Sequence, residues 1–190
     1  LLAGLAQRTD DEIVVVATPT GMMAGQLRDD LLAFLPERDV ALFPAWETLP
    51  HERLSPRSDT VARRISTLYS LTEDLKNPIV VAPIRAVIHR FIASLAKSPL
   101  WTLEVGQEIA LTDLINHLTE LSFSRTDLVE KRGEFAVRGG IVDIFLPLAA
   151  HPVRIDFFGD EIEDLSYFDV SDQRTTEVVV GKLSILPCRE

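Results

Sequence analysis

A small-residue turn, Thr18-Pro19-Thr20-Gly21, follows the β-branched run Ile13–Val16 and precedes a helical pattern. A phosphate-binding loop occupies such a junction, because backbone N–H groups and a helix N-terminus there receive the phosphates. That chemistry also needs a Lys for the β- and γ-phosphates and a hydroxyl for Mg²⁺. Met22–Gly25 supply neither. The residues Thr18, Thr20 and Gly21 therefore predict a degenerate, structural loop that holds no cofactor.

The other residue types with catalytic or metal-binding potential form no recognisable constellation. The histidines are scattered without ligand spacing, at His51, His89, His117 and His151. A single cysteine, Cys188, excludes an internal disulfide framework and a Cys-based zinc site. Carboxylates crowd Asp156–Asp172, but nothing pairs them with a nucleophile or a base. We therefore expect no catalytic residue, no metal and no cofactor, and predict that the chain is not an enzyme.

The overall charge and hydropathy limit the partners. The net charge is −10, from 29 acidic and 19 basic residues, which argues against a whole-surface nucleic-acid platform but not against a local basic patch. No apolar run approaches the roughly 20 residues of a membrane span, and no signal segment opens the chain. We expect a cytoplasmic protein with no membrane contact.

The stretches "AVRGGIVDIF" and "VRIDFFGDE" place arginine and phenylalanine on one strand face. Alternate residues of a strand share a face, so Val153, Ile155 and Phe157 point to the core and Arg154, Asp156 and Phe158 point away. Arg138 follows the inward Val137 and precedes Gly139 and Gly140, which keep the neighbouring surface low. Arginine beside an exposed aromatic is typical of an interface hot spot. The alternative stays open: Arg154 pairs with Asp156, and Phe158 is covered by the domain's own helix.

A proline-broken segment, Phe43–Pro56, carries the apolar residues Phe43, Trp46 and Leu49. Such residues either pin a long loop to its domain or, if exposed, stack on a base or a partner. Ser55 and Pro56 read as the cap and first turn of the next helix. Four arginines form either a small basic patch or a solvated helix face: Arg53, Arg57, Arg63 and Arg64.

The elements that position these residues change character near Ser98-Pro99. Before this point strands alternate with helices, which predicts a parallel sheet covered by helices. The predicted strands are Ile13–Ala17, Val40–Phe43 and Ile79–Ala82. The predicted helices are Met22–Phe34 (Leu27, Leu31 and Phe34 on one face), a helix striped by Val61, Ile65 and Leu68, and Ile84–Leu95 (Val87, Ile88, Phe91, Ile92 and Leu95 inward).

After the junction the pattern predicts a smaller antiparallel α+β domain. One helix, Thr112–Leu121, precedes a hairpin around Gly139-Gly140, a hairpin around Gly159-Asp160 and a last strand region, "EVVVGKLSILP". The predicted fold class is thus α/β followed by α+β. The predicted domains are residues 1–98, residues 99–186, and residues 187–190 as the start of a segment that returns to the first domain.

Three segments carry a resemblance to a known family. "WETLPHERLSPRSDTVARRISTLYSL", "RGEFAVRGGIVDIFLP" and "RIDFFGDEIEDLSYFDVSDQRT" resemble the N-terminal region of the bacterial transcription-repair coupling factors (Mfd), itself similar to the excision-repair protein UvrB. UvrB keeps an intact phosphate-binding loop and inserts an aromatic DNA-clamping hairpin. This chain has Thr20-Gly21-Met22-Met23 in place of that loop, and Phe43–Arg63 is too short for such a hairpin.

The resemblance implies a function that the residues alone do not give. In the family this module is a catalytically dead UvrB-like region that recruits UvrA in transcription-coupled nucleotide excision repair, while other parts displace stalled RNA polymerase and translocate on DNA. The resemblance implies that the first domain is a degenerate P-loop-NTPase-like (UvrB domain 1a-like) domain and the second a UvrA-binding (UvrB domain 2-like) domain. By motif match the UvrA contacts fall on Arg138, Arg154 and Phe158. The alternative is a nucleotide- or DNA-handling domain of a UvrB-like repair protein.

Overall fold

The structure is a computed structural model that describes residue 4 and residues 13–48, 55–73, 78–91, 100–179 and 181–189. The chain divides into two compact units, Leu1–Ser98 and Pro99–Arg189. The first unit contains parallel strands and helices, and the second is mainly antiparallel, so the predicted α/β and α+β class is confirmed.

The first unit is built from three described strands and three described helices. Its elements are β1 (Val14–Thr18), α1 (Gly21–Phe34), β2 (Val40–Leu42), α2 (Ser58–Glu73), β3 (Ile79–Pro83) and α3 (Ile84–Ile88). The strands are parallel in the order β1-β3-β2. Ile79 and Val81 of β3 pack with Ala24 and Leu31 of α1 on one face, while Val80 and Ala82 pack with Leu68 of α2 on the other.

Strand β1 and helix α1 are less buried than their patterns predict. Val15 is 60% exposed, since β1 is a sheet edge and buries mainly the face that meets α1. The central strand β3 is buried throughout, as its continuous apolar run predicts. At the end of α1, Phe34 is 76% exposed, and Leu35 takes the inward position instead.

Helix α3 is much shorter than the predicted Ile84–Leu95. It ends at Ile88, where His89 adopts extended backbone angles. The predicted inward residues Val87, Ile88 and Phe91 are 47%, 70% and 45% exposed, and only the small Ala86 is buried. The apolar spacing overstated a helix that begins directly after β3. Ile92 and Leu95 lie outside the described residues.

The start of helix α2 differs from the sequence expectation because its polar partner comes from another segment. The helix begins at Ser58, so Ser55 and Pro56 precede it and do not cap it. The Glu47 carboxylate accepts two hydrogen bonds, one at Oε2 from the Arg57 amide at 3.4 Å and one at Oε1 from the Thr60 hydroxyl. A carboxylate at a helix N-terminus also opposes the helix dipole favourably.

The second unit contains one helix and eight strands among its described residues. They are β4 (Trp101–Glu104), α4 (Leu111–Glu120), β5 (Ser124–Arg125), β6 (Glu134–Arg138), β7 (Ile141–Ile144), β8 (Val153–Phe158), β9 (Glu161–Phe168), β10 (Thr175–Val179) and β11 (Lys182–Ile185). Six form a sheet in the order β10-β9-β8-β7-β6-β5, antiparallel except for the β5–β6 pair. The pair β4–β11 forms a separate antiparallel ribbon.

One face of the large sheet and helix α4 enclose the main core. Leu114 and Leu118 of α4 are fully buried against sheet residues such as Phe135 and Ile155. Cys188, beyond β11, is also buried there, and its amide donates to the Leu121 carbonyl at 2.9 Å. Pro187–Arg189 therefore lie within the second compact unit.

Candidate functional site

Strand alternation on β8 separates a buried face from an outer face. Val153 and Ile155 are fully buried in the core beside α4, whereas Arg154, Asp156 and Phe158 lie on the opposite side. We call the side away from α4 the outer face. This arrangement confirms the predicted alternation and directs the arginine and the aromatic away from the core.

Phe158 is the most exposed large apolar side chain among the described residues, at 77%. It is the last residue of β8, opposite Glu161, and Gly159 with φ of +65° begins the turn. The alternative in which the domain's own helix covers Phe158 is wrong, because α4 packs on the other face of the sheet. An aromatic held so openly at a strand end is suited to insertion into a partner.

Arg154 points to the outer face but is only 14% exposed. Its partner is Asp143 of β7: Nε donates to Oδ1 at 2.7 Å and Nη2 to Oδ2 at 3.0 Å. Nη1 donates to the Gln173 carbonyl and to Thr175 Oγ1, both at 3.2 Å. The alternative pairing with Asp156 is therefore wrong. The hydrogen bond with Asp143 raises the pKa of Arg154, despite the opposing effect of burial.

Arg138 reaches the same carboxylate from the end of β6. Its Nη2 donates to Asp143 Oδ2, and its side chain stays 45% exposed. The register explains the convergence, because Asp143 stands directly opposite Arg154, while Arg138 lies one step diagonally across from it. Arg138 and Arg154 are thus joined through Asp143, which is not one of the three predicted site residues.

Asp143 is the member of this cluster that the sequence interpretation missed. Its side chain is 1% exposed, in a strand that is otherwise apolar. A lone carboxylate within "GIVDIFLP" is the signal that was available, since a buried carboxylate requires a cationic or hydrogen-bonding partner. Its partners lie 5 and 11 residues away in sequence.

The glycine turn between β6 and β7 lies beside the base of Phe158. Gly139 has φ of +62°, and the Gly140 carbonyl accepts a hydrogen bond from the Phe157 amide at 2.8 Å. A Cβ at Gly140 would stand 3.1 Å from the Phe157 carbonyl oxygen. The expectation that glycine permits close approach here is therefore met at Gly140, where backbone meets backbone.

Asp156 lies on the outer face directly opposite Asp164. Burial raises the pKa of Asp156, Arg154 opposes that change, and repulsion from Asp164 adds to it. The centre of the face is therefore mixed in charge, with the two arginines on one side of this acidic pair.

The degenerate loop of the first unit uses its hydroxyls internally. Thr20 caps α1, since its Oγ1 accepts a hydrogen bond from the Met23 amide at 3.2 Å, and Thr18 Oγ1 donates to the Thr20 carbonyl at 2.9 Å. A cavity of about 300 Å³ lies here, lined in part by Thr20, Gly21 and Arg85. Arg85, the one cation among its lining residues, is exposed.

Neither alternative for the four arginines, a basic patch or a solvated helix face, accommodates Arg64. Arg64 is fully buried, donates to the Pro44 carbonyl at 2.8 Å, and lies 4.3 Å from the Phe43 ring centroid. Arg57 is exposed and pairs with Asp59 at 3.1 Å, Arg63 is exposed, and Arg53 lies outside the described residues. Arg64 also contacts Trp46, whose ring lies 5.2 Å from that of His89, so this segment is pinned to its unit. Leu49 lies outside the described residues.

Metal-binding clusters and membrane-spanning helices are both absent from the part of the chain that the structure describes. No group of three or more His, Cys, Asp or Glu side chains there is placed to hold a metal ion. None of the helices described is long and apolar enough to cross a membrane.

Comparison with known proteins gives a match to a family model. Residues 101–190 match the family model described as the UvrB interaction domain, which covers nearly all of the second unit. The second unit therefore matches the UvrB interaction domain over nearly its whole length.

The similarity extends through the first unit to named relatives. The chain is 43% identical over 184 residues to the transcription-repair-coupling factor of Mycobacterium bovis, which is 93% of this chain. It is 33% identical to that of Bacillus subtilis and 32% identical to that of Escherichia coli, over 99% and 100% of the chain. The chain is thus similar along nearly its whole length to the transcription-repair-coupling factors (Mfd), and it spans 15–16% of the length of these relatives.

Proposed function

We propose that this chain is a non-catalytic recruitment module of transcription-coupled nucleotide excision repair, which binds UvrA through the outer face of its second unit. The observation that carries the proposal is Phe158, 77% exposed on the face that also presents Arg138. The match of residues 101–190 to the UvrB interaction domain model supports the partner's identity. The parent protein would displace stalled RNA polymerase and act on DNA through parts outside this chain.

We expect the three predicted contact residues to differ in their roles. Phe158 and Arg138 are accessible and would touch UvrA directly. Arg154 is largely covered and makes four hydrogen bonds within its own unit, so its contact with a partner would be small. An alanine at Arg154 is therefore expected to disturb the face itself, and loss of binding there would not identify a contact.

The test is a titration of the 190-residue chain against UvrA by isothermal calorimetry, with two arginine variants. Arg138→Ala is expected to weaken binding roughly thirtyfold, the loss that corresponds to about 2 kcal/mol at a hot spot. Arg57→Ala is the matched control, because Arg57 is also exposed and also pairs with an aspartate, but belongs to the first unit. Equal weakening by both variants, or by neither, would contradict the proposed face.

A nucleotide-handling role for the first unit is the second candidate, favoured by the cavity at Thr20 and Gly21 beside the ends of the parallel strands. Ligands of α/β folds bind at this edge. The candidate is weaker, because the Thr20 hydroxyl caps its own helix and Arg85 is the one cation among the lining residues. Titration with Mg-ATP separates the two functions.

A further inference from the structure

Asp143 is too deeply buried to touch a partner, yet it contacts both arginines of the outer face. Its side chain is 1% exposed, while Arg138 and Arg154 converge on its two oxygens. We propose that Asp143 is the positioning residue of this face: it holds Arg138 in place as a receptor for a carboxylate on the partner. This inference rests on the proposed docking function and adds to it the chemistry of the partner group.

The two arginines share Asp143 unequally. A guanidinium has five N–H donors, and Arg154 uses two on Asp143, one on the Gln173 carbonyl and one on Thr175 Oγ1. Arg138 spends one donor on Asp143, and four remain without an acceptor among the described residues. The accessible arginine is therefore the one with donors to offer.

The charges of the cluster also favour a carboxylate as the partner group. One carboxylate contacts two guanidinium groups, so the three residues Asp143, Arg138 and Arg154 together carry a surplus positive charge, which Asp156 and Asp164 on the same face offset from the side of Arg154. That surplus sits on Arg138, because Arg154 is matched to Asp143 by two parallel hydrogen bonds. A planar guanidinium binds a carboxylate through two hydrogen bonds, which a single ammonium cannot reproduce. The partner group that fits is thus an Asp or Glu side chain beside an apolar recess for Phe158.

Asp143 also stabilises the rim of the face through Arg154. Arg154 holds the Gln173 carbonyl, and Gln173 adopts the left-handed φ of +62° just before β10. The Gln173 side chain in turn donates to the Val170 carbonyl at 2.9 Å. Loss of the Asp143 charge would leave Arg154 without its counter-ion and loosen this turn as well as Arg138. This is why a buried residue is expected to change binding.

The test compares Asp143→Asn, Arg138→Ala and the double variant in the 190-residue chain, with UvrA as the probe. Asp143→Asn is expected to weaken UvrA binding at least tenfold. Residues in one network are not additive, so Arg138→Ala should cost much less in the D143N background than in the parent. Phe158→Ala is the matched control, since it lies outside the network and its loss should multiply with that of Asp143→Asn.

A second readout needs no partner. The Arg154 Nε–H donates to Asp143 at 2.7 Å, so its proton should exchange slowly with water in ¹⁵N-edited NMR spectra of the parent and of Arg138→Ala. In Asp143→Asn the same proton should exchange fast. If Asp143→Asn fails to fold, Arg138→Lys replaces it. Lysine keeps the charge but lacks the fork that contacts two carboxylates at once, so UvrA binding is expected to fall at least tenfold.

The outcomes separate this inference from the docking function. A folded Asp143→Asn that binds UvrA like the parent, while Arg138→Ala binds weakly, overturns the positioning role and leaves the docking face standing. Arg138→Lys binding like the parent overturns the role of Arg138 as a receptor that joins Asp143 to a carboxylate of the partner. If Arg138→Ala and Phe158→Ala both bind like the parent, the docking function itself is wrong, and the carboxylate receptor falls with it.

Discussion

At the scale of single residues, three aspartates of the second unit meet opposite electrostatic conditions. Asp143 faces two arginines, whereas Asp156 stands opposite Asp164. Asp169 lies after β9, and its carboxylate accepts a hydrogen bond from the Ser171 amide at 2.9 Å. The carboxylates of Asp156 and Asp169 are therefore expected to affect stability in opposite directions, which unfolding measurements at two pH values can detect.

Asp156→Asn is expected to raise the free energy of unfolding at neutral pH. Burial, assisted by repulsion from Asp164, holds the pKa of Asp156 above its ordinary 3.8, although Arg154 works against it. The folded chain therefore binds this proton more tightly than the unfolded chain, and the ionised group destabilises the fold at pH 7. As pH falls through the raised pKa, that destabilisation disappears, so the gain from Asn should shrink.

Asp169→Asn is the control with the opposite sign. The Ser171 hydrogen bonds lower the pKa of Asp169, so its ionised form stabilises the fold at neutral pH and that contribution is lost as the pH falls. Urea unfolding at pH 7 and at about pH 4 should show the two variants moving in opposite directions. A loss of stability at pH 7 on Asp156→Asn would contradict this reading.

At the scale of elements, the glycine turn beside Phe158 sets how closely β7 and β8 approach. Gly140→Ala is expected to reduce the free energy of unfolding by about 1 kcal/mol, because the new Cβ would meet the Phe157 carbonyl oxygen at 3.1 Å. It should also weaken UvrA binding, since Phe158 is the next residue. Urea unfolding and the UvrA titration measure both effects.

Gly25→Ala is the matched control for that prediction. Gly25 lies within α1, with nothing within 4 Å of an added Cβ. Alanine there is expected to stabilise the chain by about 0.5–1 kcal/mol and to leave UvrA binding unchanged. Stabilisation by both substitutions would show that the Gly140 contact relaxes freely.

The segment after β11 can be followed through its cysteine. Burial raises the pKa of the Cys188 thiol to about 12, and the side chain is 5% exposed. Because the thiolate is the reactive form, Cys188 should react with iodoacetamide far more slowly in the native chain than in urea. Rapid labelling of the native chain would show that residues 187–189 are not docked in the core.

The parts of the fold that were predictable from sequence are local ones. Both hairpins follow from glycine turns between alternating strands, and β3 follows from its continuous apolar run. The pairing of β4 with β11 was not predicted, because about eighty residues separate them and neither has a distinctive pattern. The predicted length of helix α3 was too great, since apolar spacing does not reveal whether a neighbouring surface exists to cover the apolar side chains.

The candidate site divides in the same way. Alternation correctly placed Phe158 and Arg138 on the outer face, because that property depends on one strand at a time. It missed Asp143, and it did not show that Arg154 is covered by the turn at Gln173. Both facts depend on the register between strands, because the register sets the neighbours of each side chain. The pattern of a single strand does not contain this information.

At the scale of the whole molecule, the two units have different surfaces and different proposed work. The first holds a parallel sheet whose strand ends carry a loop occupied with capping its own helix. The second presents the outer face, with an exposed aromatic and an arginine that has donors to spare. The chain spans 15–16% of its relatives' length.

The first unit is expected not to bind ATP. Calorimetric titration with Mg-ATP should give no saturable heat, because the sequence lacks the loop Lys and the Thr20 hydroxyl serves as the helix cap. Thr20→Ala should instead lower the free energy of unfolding by about 1 kcal/mol through loss of that cap. Saturable ATP binding that Thr20→Ala abolishes would revive the nucleotide-handling alternative.

The central claim is that UvrA docks on the outer face of the second unit. It is tested most directly by replacing each of two matched phenylalanines with alanine in separate variants. Phe158 and Phe34 are 77% and 76% exposed, one in each unit, so truncating either one removes a similar amount of exposed apolar surface. Calorimetric titration of UvrA with Phe158→Ala should show binding at least roughly thirtyfold weaker than the parent's, while Phe34→Ala should bind like the parent. Undiminished binding by Phe158→Ala, together with a loss on Phe34→Ala, would contradict the account and place the docking surface on the first unit.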